Sequence, residues 1–365
     1  MREYIDGSTA IVRGALDAGC DFFAGYPITP ASAILMSMMR ELPKAGGVAI
    51  QGEDEIASIG MCIGAAVSGA RTMTATSGPG ISLYSENIGL AIMGEVPMVI
   101  VDVQRLGPST GGATTVSQGD VQFVRWGTAG GYPIIALSPS TVTEAYWLTA
   151  KAFDLAERFR CPVFLLTDKD LAMTLTTVDL SSYPEIVVRS RETSSVGPPS
   201  RYDPPDDVFP LHEFGDEETV RFTGSTHDEE GYITKHTPTI DALNHHLADK
   251  IEMHRDEIEL VDIDLQARAS TLLLGYGATG SAVRAAVAQA RAGGDRVSGM
   301  VVHSLWPVPE TAIDEALVGI HKVIVPELNL GLYRREIERL AGGRRVIGVN
   351  RVDGEMITPA EILGR

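Results

Sequence analysis

Gln51-Gly-Glu-Asp-Glu-Ile-Ala-Ser58 joins a short strand pattern, Gly47 to Ile50, to a helix of small and apolar residues, Ile56 to Gly69. A parallel sheet holds its ligands beyond the carboxyl ends of its strands, so a carboxylate cluster at this junction has a functional reading. It also has a plain one, because acids in a first helical turn complement the helix dipole. The flanking segments decide the fold. Helical spacing over Ser8–Ala18, Pro30–Leu42, Ser82–Met93 and Thr141–Arg158 alternates with strand patterns at Asp21–Ala24, Arg71–Ala75, Met98–Val103, Tyr132–Leu137 and Pro162–Leu166. Such alternation predicts a mostly parallel, doubly wound sheet covered on both faces.

The pattern dissolves from Leu180 to about Asp256, a region rich in Pro, Ser, Asp and Glu. It carries six of the eight histidines, His212, His227, His236, His245, His246 and His254, at spacings that match no metal-ligand set. An extended arm wrapping a neighbouring domain or subunit is the expectation. A second α/β unit follows, with strands at Thr271–Leu274, Arg296–Val302, Lys322–Val325 and Arg345–Val349. Its first strand leads through Gly275-Tyr-Gly-Ala-Thr-Gly280 into the helix Ser281–Arg291. This spacing fits a dinucleotide loop, but Met300-Val-Val-His-Ser304 brings no carboxylate to the end of the next strand for a ribose. NAD binding therefore stays as the minor reading beside tight strand–helix packing. The divisions expected are 1–180, an arm over 181–256, and 257–365.

Composition narrows the classes. A formal net charge of -18 disfavours nucleic acid and anionic membrane surfaces. Three scattered cysteines, Cys20, Cys62 and Cys161, form no CxxC pair for a cluster or zinc, and their sparse, odd count fits a reducing compartment. No run reaches the roughly 18 apolar residues of a membrane span. The N-terminal residues lack a signal-peptide core, so the expectation is cytoplasmic.

Three further junctions agree with the first. Gly25-Tyr-Pro-Ile-Thr-Pro-Ala-Ser32 places Thr29 as a helix N-cap with Pro30 at the first helical position, or frees its hydroxyl for a ligand. Thr74-Ala-Thr-Ser-Gly-Pro-Gly80 is a polar, glycine-rich turn, and Gln104-Arg105 follows an apolar strand. Thr29, Glu55, Ser77 and Arg105 thus fall at four strand ends. A carboxylate, a hydroxyl and a guanidinium on one edge suit a small anion together with a cofactor.

Tyr26-Pro-Ile-Thr-Pro30, Gly52-Glu-Asp-Glu-Ile-Ala-Ser58, Thr74–Gly80, Gln104-Arg105, Gly107-Pro-Ser-Thr-Gly111 and Gln118-Gly-Asp120 together resemble the α subunit of 2-oxoacid:ferredoxin oxidoreductases. The likeness is closest to the 2-oxoglutarate (KorA-type) branch. It runs in order over residues 5–175 and continues through Gly224-Ser-Thr-His-Asp-Glu-Glu-Gly231. The resemblance implies a pyrimidine-type thiamine diphosphate-binding α/β domain followed by a transketolase C-terminal-like α/β domain. It implies that Glu55, with Glu53 as the alternative, addresses N1' of the aminopyrimidine. Tyr26, Pro27, Ile28, Ser77 and Gly78 would line the cofactor, and Thr29 and Arg105 would hold the substrate carboxylate. It further implies oxidative decarboxylation of 2-oxoglutarate to succinyl-CoA, with coenzyme A as co-substrate and ferredoxin as electron acceptor.

No Gly-Asp-Gly with a following Asn-rich stretch is present for Mg2+ and diphosphate. By the resemblance these groups and the [4Fe-4S] cluster belong to a β subunit, in an (αβ)2 assembly with γ and δ subunits as further candidates. Leu106 stands where the family has glycine, and Gly112-Ala113 where Leu-Pro is common. These differences leave branched-chain or aryl 2-oxo acids as the alternative substrates.

Overall fold

In the computed structural model the described residues are 2–182, 184, 187–194, 198, 200–212, 214–215 and 219–365. The first half of the chain gives strands β1 (Arg2–Ile5), β2 (Phe22–Gly25), β3 (Val48–Gln51), β4 (Thr72–Thr76), β5 (Met98–Gln104), β6 (Ile135–Leu137), β7 (Pro162–Asp168) and β8 (Thr176–Asp179). The second half gives β9 (Val261–Asp264), β10 (Thr271–Tyr276), β11 (Val297–Val302), β12 (Ser304–Trp306), β13 (Lys322–Glu327) and β14 (Arg345–Asn350). The main sheet has the order β12-β6-β7-β5-β4-β2-β3 and the second β14-β13-β10-β11-β9. Only β12 in the first and β9 in the second run antiparallel to their neighbours. β1 and β8 form a separate antiparallel pair. The chain is therefore α/β, and its main sheet is the expected parallel one.

Alternation along β5 shows how the layers form. Val99, Val101 and Val103 join Phe23, Met73, Leu137 and Leu165 beneath the helices Gly7–Asp17, Ser32–Glu41 and Val142–Phe159. Met98 and Ile100 point the other way, into a core shared with Ile59, Ile63 and Ile92 and with Leu272, Leu274 and Val323 of the second sheet. A strand buried on both faces reads as a continuous apolar run, as Met98–Val103 does apart from Asp102. The two sheets thus share one apolar core.

Three expectations need correction. The strand over Tyr132–Leu137 begins at Ile135, because Pro133 has no N–H to give the ladder. The helix over Ser82–Met93 is two helices, Pro79–Leu83 and Ser85–Met93, meeting at Tyr84. The arm over 181–256 is not wholly extended, since Thr237–Glu252 is a helix of 16 residues. Its buried face is Leu243, His246, Leu247, Lys250 and Ile251, a helical stripe interrupted by two cationic residue types.

Those two residues serve a buried ion cluster. Glu95 accepts from Lys250 Nζ and His246 Nε2, each at 2.8 Å, and lies 3.5 Å from Arg160 Nη2. Lys250 also donates to the Arg160 carbonyl at 3.1 Å. Glu95 and Arg160 both hold left-handed backbone, φ 51° and 45°, which is unfavourable for side-chain-bearing residues and persists where surroundings fix it. Of the other arm histidines, His227 and His236 make local bonds, to the Ser225 carbonyl and to Thr239, while His254 reaches the Asp206 carbonyl 48 residues away. Among the described residues no three metal-ligating side chains gather, and no helix is long and apolar enough to cross a membrane.

Burial alone would raise the Glu95 carboxyl, but Arg160, Lys250 and His246 outweigh it and hold the group well below the usual carboxylate range. Such a group adds stability at pH above its unfolded pKa of about 4.3, and that stability is lost as pH falls through its lower folded value. Glu95→Ala should cost about 3–5 kcal/mol in denaturant unfolding near neutral pH, because it strands buried cations. A loss under about 1 kcal/mol would mean that the cluster does not fasten the helix Thr237–Glu252.

Candidate active site

Strand order places the carboxyl ends of β3, β2, β4 and β5 side by side. The chain leaves β2 for β3 on one side and returns to β4 on the other, so the reversal falls between β2 and β4. Ligands of open α/β sheets bind at such a reversal. Thr29 follows β2, Glu55 follows β3, Ser77 and Gly78 follow β4, and Arg105 follows β5.

At the opening junction the two readings separate by residue. Asp54 is the helix N-cap, its Oδ1 accepting from the Ala57 amide at 2.7 Å. Glu55 is the first helical residue and is 7% exposed, whereas Glu53 lies open on the surface. Glu55 packs under the short helix Pro79–Leu83: a Cβ placed on Gly80 would stand 3.0 Å from its Oε1. Glu55 is largely buried as a residue, yet its carboxylate makes no hydrogen bond among the described residues and its oxygens keep access to solvent. Capping by Asp54 leaves Glu55 free for other chemistry.

Thr29 does not cap a helix. The helix starts at Ser32, after Ala31, so the Thr29 side chain is exposed at the edge. Its carbonyl accepts from Arg105 Nη1 at 2.6 Å, which ties the β2 and β5 junctions together. Arg105 is 6% exposed, and its Nε is buried without a partner. Ser77 is fully buried with Oγ unpartnered. Gly78 takes φ 36°, in the region that side chains avoid, and lies against the Arg105 stem. Tyr26 and Pro27 stand exposed at the rim, and Ile28 packs partly into the core.

Arg105 and Gly78 line a cavity of about 590 Å³ together with Pro79, Asp120, Asn329 and Leu330, so both sheets' loops wall it. Glu55, Thr29 and Ser77 are not in that wall. Outside the rim, Met36, Met39, Val48, Ile56, Met61 and Leu83 are all exposed, on three helices and the edge strand β3. Exposed large apolar residues on both sides of the β3 edge mark it as a candidate interaction surface.

Three residues of this region carry no assignment from the sequence. Gln118 bridges the sheets: its Nε2 donates to the Tyr276 carbonyl at 2.9 Å and its Oε1 accepts from the Leu328 amide at 3.0 Å. Asp102 and Asp120 form a buried carboxyl pair near Arg105. An acid inside the run Met98–Val103 is the signal that marks Asp102, since a central strand has no cheap place for an unpaired charge.

The glycine loop is closed to a nucleotide. A Cβ on Gly277 would lie 2.6 Å from Gln118 Nε2, and one on Gly280 would lie 2.2 Å from Ser140 Oγ. Ser281 Oγ donates to the Ser140 carbonyl at 2.7 Å. First-sheet side chains therefore fill the helix N-terminus where a pyrophosphate would bind, and tight packing is the use of these glycines.

The fold and site define a thiamine diphosphate-binding class of α/β protein. Residues 13–254 match the family model for the thiamine diphosphate-binding part of pyruvate flavodoxin/ferredoxin oxidoreductase, and residues 269–362 match pyruvate:ferredoxin oxidoreductase core domain II. The chain belongs to the 2-oxoacid:ferredoxin oxidoreductase family. It is 43% identical to the 2-oxoglutarate synthase subunit KorA of Methanothermobacter thermautotrophicus, over 99% of this chain and 96% of the relative. Identity to the same subunit of Methanocaldococcus jannaschii is 42%, over 99% and 98%. The ketoisovalerate oxidoreductase subunit VorB of M. thermautotrophicus is 35% identical, over 99% and 96%. The fold matches the 2-oxoglutarate:ferredoxin oxidoreductase of Magnetococcus marinus, solved with 2-oxoglutarate, coenzyme A and succinyl-CoA bound, at a TM-score of 0.93 and 32% identity. That match covers all of this chain and 64% of the other, so this chain spans just under two thirds of that neighbour's length.

Gly277→Ala should lower stability by about 1–3 kcal/mol, read as a fall in thermal midpoint, because the new methyl displaces Gln118 at a left-handed position. An unchanged midpoint would show that the Gln118 bridge is loose.

Proposed function

We propose that this chain is the α-type subunit of a 2-oxoglutarate:ferredoxin oxidoreductase. Joined to a β-type subunit, it would convert 2-oxoglutarate and coenzyme A reversibly to succinyl-CoA and CO2, with electrons passing through a [4Fe-4S] cluster to ferredoxin. The observation that carries the reading is the largely buried Glu55 at the sheet reversal, its carboxylate free of any hydrogen bond among the described residues, beside the Thr29–Arg105 contact. The 2-oxoglutarate branch is favoured over branched-chain acids by the 43% against 35% identities.

The residues fit half of a thiamine diphosphate site. Bound thiamine diphosphate supplies a carbon nucleophile for the keto carbon and a sink for the electrons that decarboxylation releases. Glu55 would hold and move a proton at N1' of the aminopyrimidine, a task that needs a carboxylate not already spent on a cap. Ser77, Gly78, Tyr26, Pro27 and Ile28 would line the cofactor. Arg105 keeps Nε for the substrate's C1 carboxylate while Nη1 fixes the guanidinium plane on Thr29, and the exposed Thr29 hydroxyl adds a second donor.

Diphosphate, Mg2+ and the cluster are assigned to the β-type partner. The exposed apolar residues along the β3 edge support a second chain covering this rim, as (αβ)2 or with γ and δ subunits added. The three cysteines here are each buried as free thiols. A cytoplasmic complex fits the charge and cysteine usage.

In a complex with its natural partners, Glu55→Ala should slow CoA-dependent viologen reduction by 2-oxoglutarate at least about 100-fold, the scale of a positioned acid–base group. Full activity in that variant would overturn the assignment of Glu55.

A further inference from the structure

We infer that Asp102 and Asp120 share one proton and act as a positioning pair for Arg105, keeping the net negative charge behind the guanidinium at one. The inference rests on the reading of Arg105 as the substrate-carboxylate ligand. Both Asp102 oxygens and Asp120 Oδ2 are buried without a hydrogen-bond donor. The two carboxyls lie within hydrogen-bonding reach of each other. Ionised carboxylates only accept, so nothing satisfies the contact except a proton between them. Two adjoining buried carboxyls do not both ionise cheaply, and a shared proton turns the repulsion into a short, charge-assisted bond.

The surroundings fix this arrangement. The Asp120 amide donates to Gln104 Oε1 at 3.0 Å, and Gln104 Nε2 donates to the Thr167 carbonyl at 3.2 Å, which pins Asp120 against the end of β5. Two residues earlier, Gln118 is held by Tyr276, Leu328 and Asn329 of the second sheet's loops. Asp102 faces across β5 to Thr76 on one side and Leu166 on the other, neither of which titrates. The charged groups acting on the pair are therefore each other and Arg105, with the Gly78 amide a lesser influence. Burial, then the Asp120 charge, pushes the Asp102 carboxyl well above the usual carboxylate range; burial also raises Asp120, against the pull of Asp102 and Arg105.

The consequence is directional. While one proton remains, one negative charge stands behind Arg105 and the guanidinium keeps its positive field toward the cavity. Loss of that proton at higher pH doubles the negative charge, draws Arg105 back and repels an anionic substrate. The KM for a 2-oxo acid should rise about tenfold at alkaline pH, the worth of one charge-assisted bond, while kcat changes little. Asp102→Asn or Asp120→Asn replaces the protonated member with a neutral donor, so either variant should lose the alkaline rise in KM, whatever its KM near neutral pH.

The test measures KM and kcat against pH for the wild-type complex, both Asn variants and Arg105→Ala. It is joined by infrared spectra of the full chain, in which one buried protonated carboxyl band should persist above neutral pH and vanish in the double Asn variant. An unchanged alkaline rise in both Asn variants, or no such band, overturns the pair. A normal KM in Arg105→Ala instead overturns the substrate role of Arg105, and the infrared result then still decides the shared proton.

Discussion

Parallel pairing of β3, β2, β4 and β5 is the constraint on which this molecule depends. Four parallel strands in a row must release the chain at one edge, so four loops with no sequence proximity become neighbours. The burial of β5 on both faces keeps that edge rigid. What then distinguishes the edge is chemical: Arg105 reaches from the end of β5 to the Thr29 carbonyl, and Glu55 sits buried beneath the helix that follows β4.

The second sheet reaches this edge indirectly. It shares an apolar core with the first, lends β12 to the main sheet, and closes its own glycine loop around Gln118. Gln118 is two residues from Asp120, so the packing between sheets and the polar lining of the cavity are mechanically linked. A glycine loop that matches a nucleotide fingerprint here serves to admit a glutamine side chain. Spacing alone does not separate these uses, because both need a backbone with nothing attached.

Much of the fold is legible in the sequence. The alternation from Ser8 to Leu166 and again from Thr271 to Val349 anticipates the parallel sheets, since period and length are local properties of the chain. The helix Thr237–Glu252 escapes notice because His246 and Lys250 occupy its inward stripe, and only the distant Glu95 makes them fit there. Thr29 invites reading as an N-cap beside Pro30, yet the helix begins later and a residue 76 positions away holds its carbonyl. Glu55 is chosen over Glu53 by burial, and Asp120 acquires a partner only when β5 brings Asp102 beside it. The arm helix, the Thr29 contact and the aspartate pair each turn on a long-range contact that a local pattern does not carry.

The central claim is that this chain contributes one half of a thiamine diphosphate site and a second subunit completes it. The most direct measurement is calorimetric titration of thiamine diphosphate with Mg2+ into the chain alone and into the chain joined to its β-type partner. The account predicts saturable binding by the joined subunits and none by the chain alone. Equal affinity in both, or binding in neither, would contradict it.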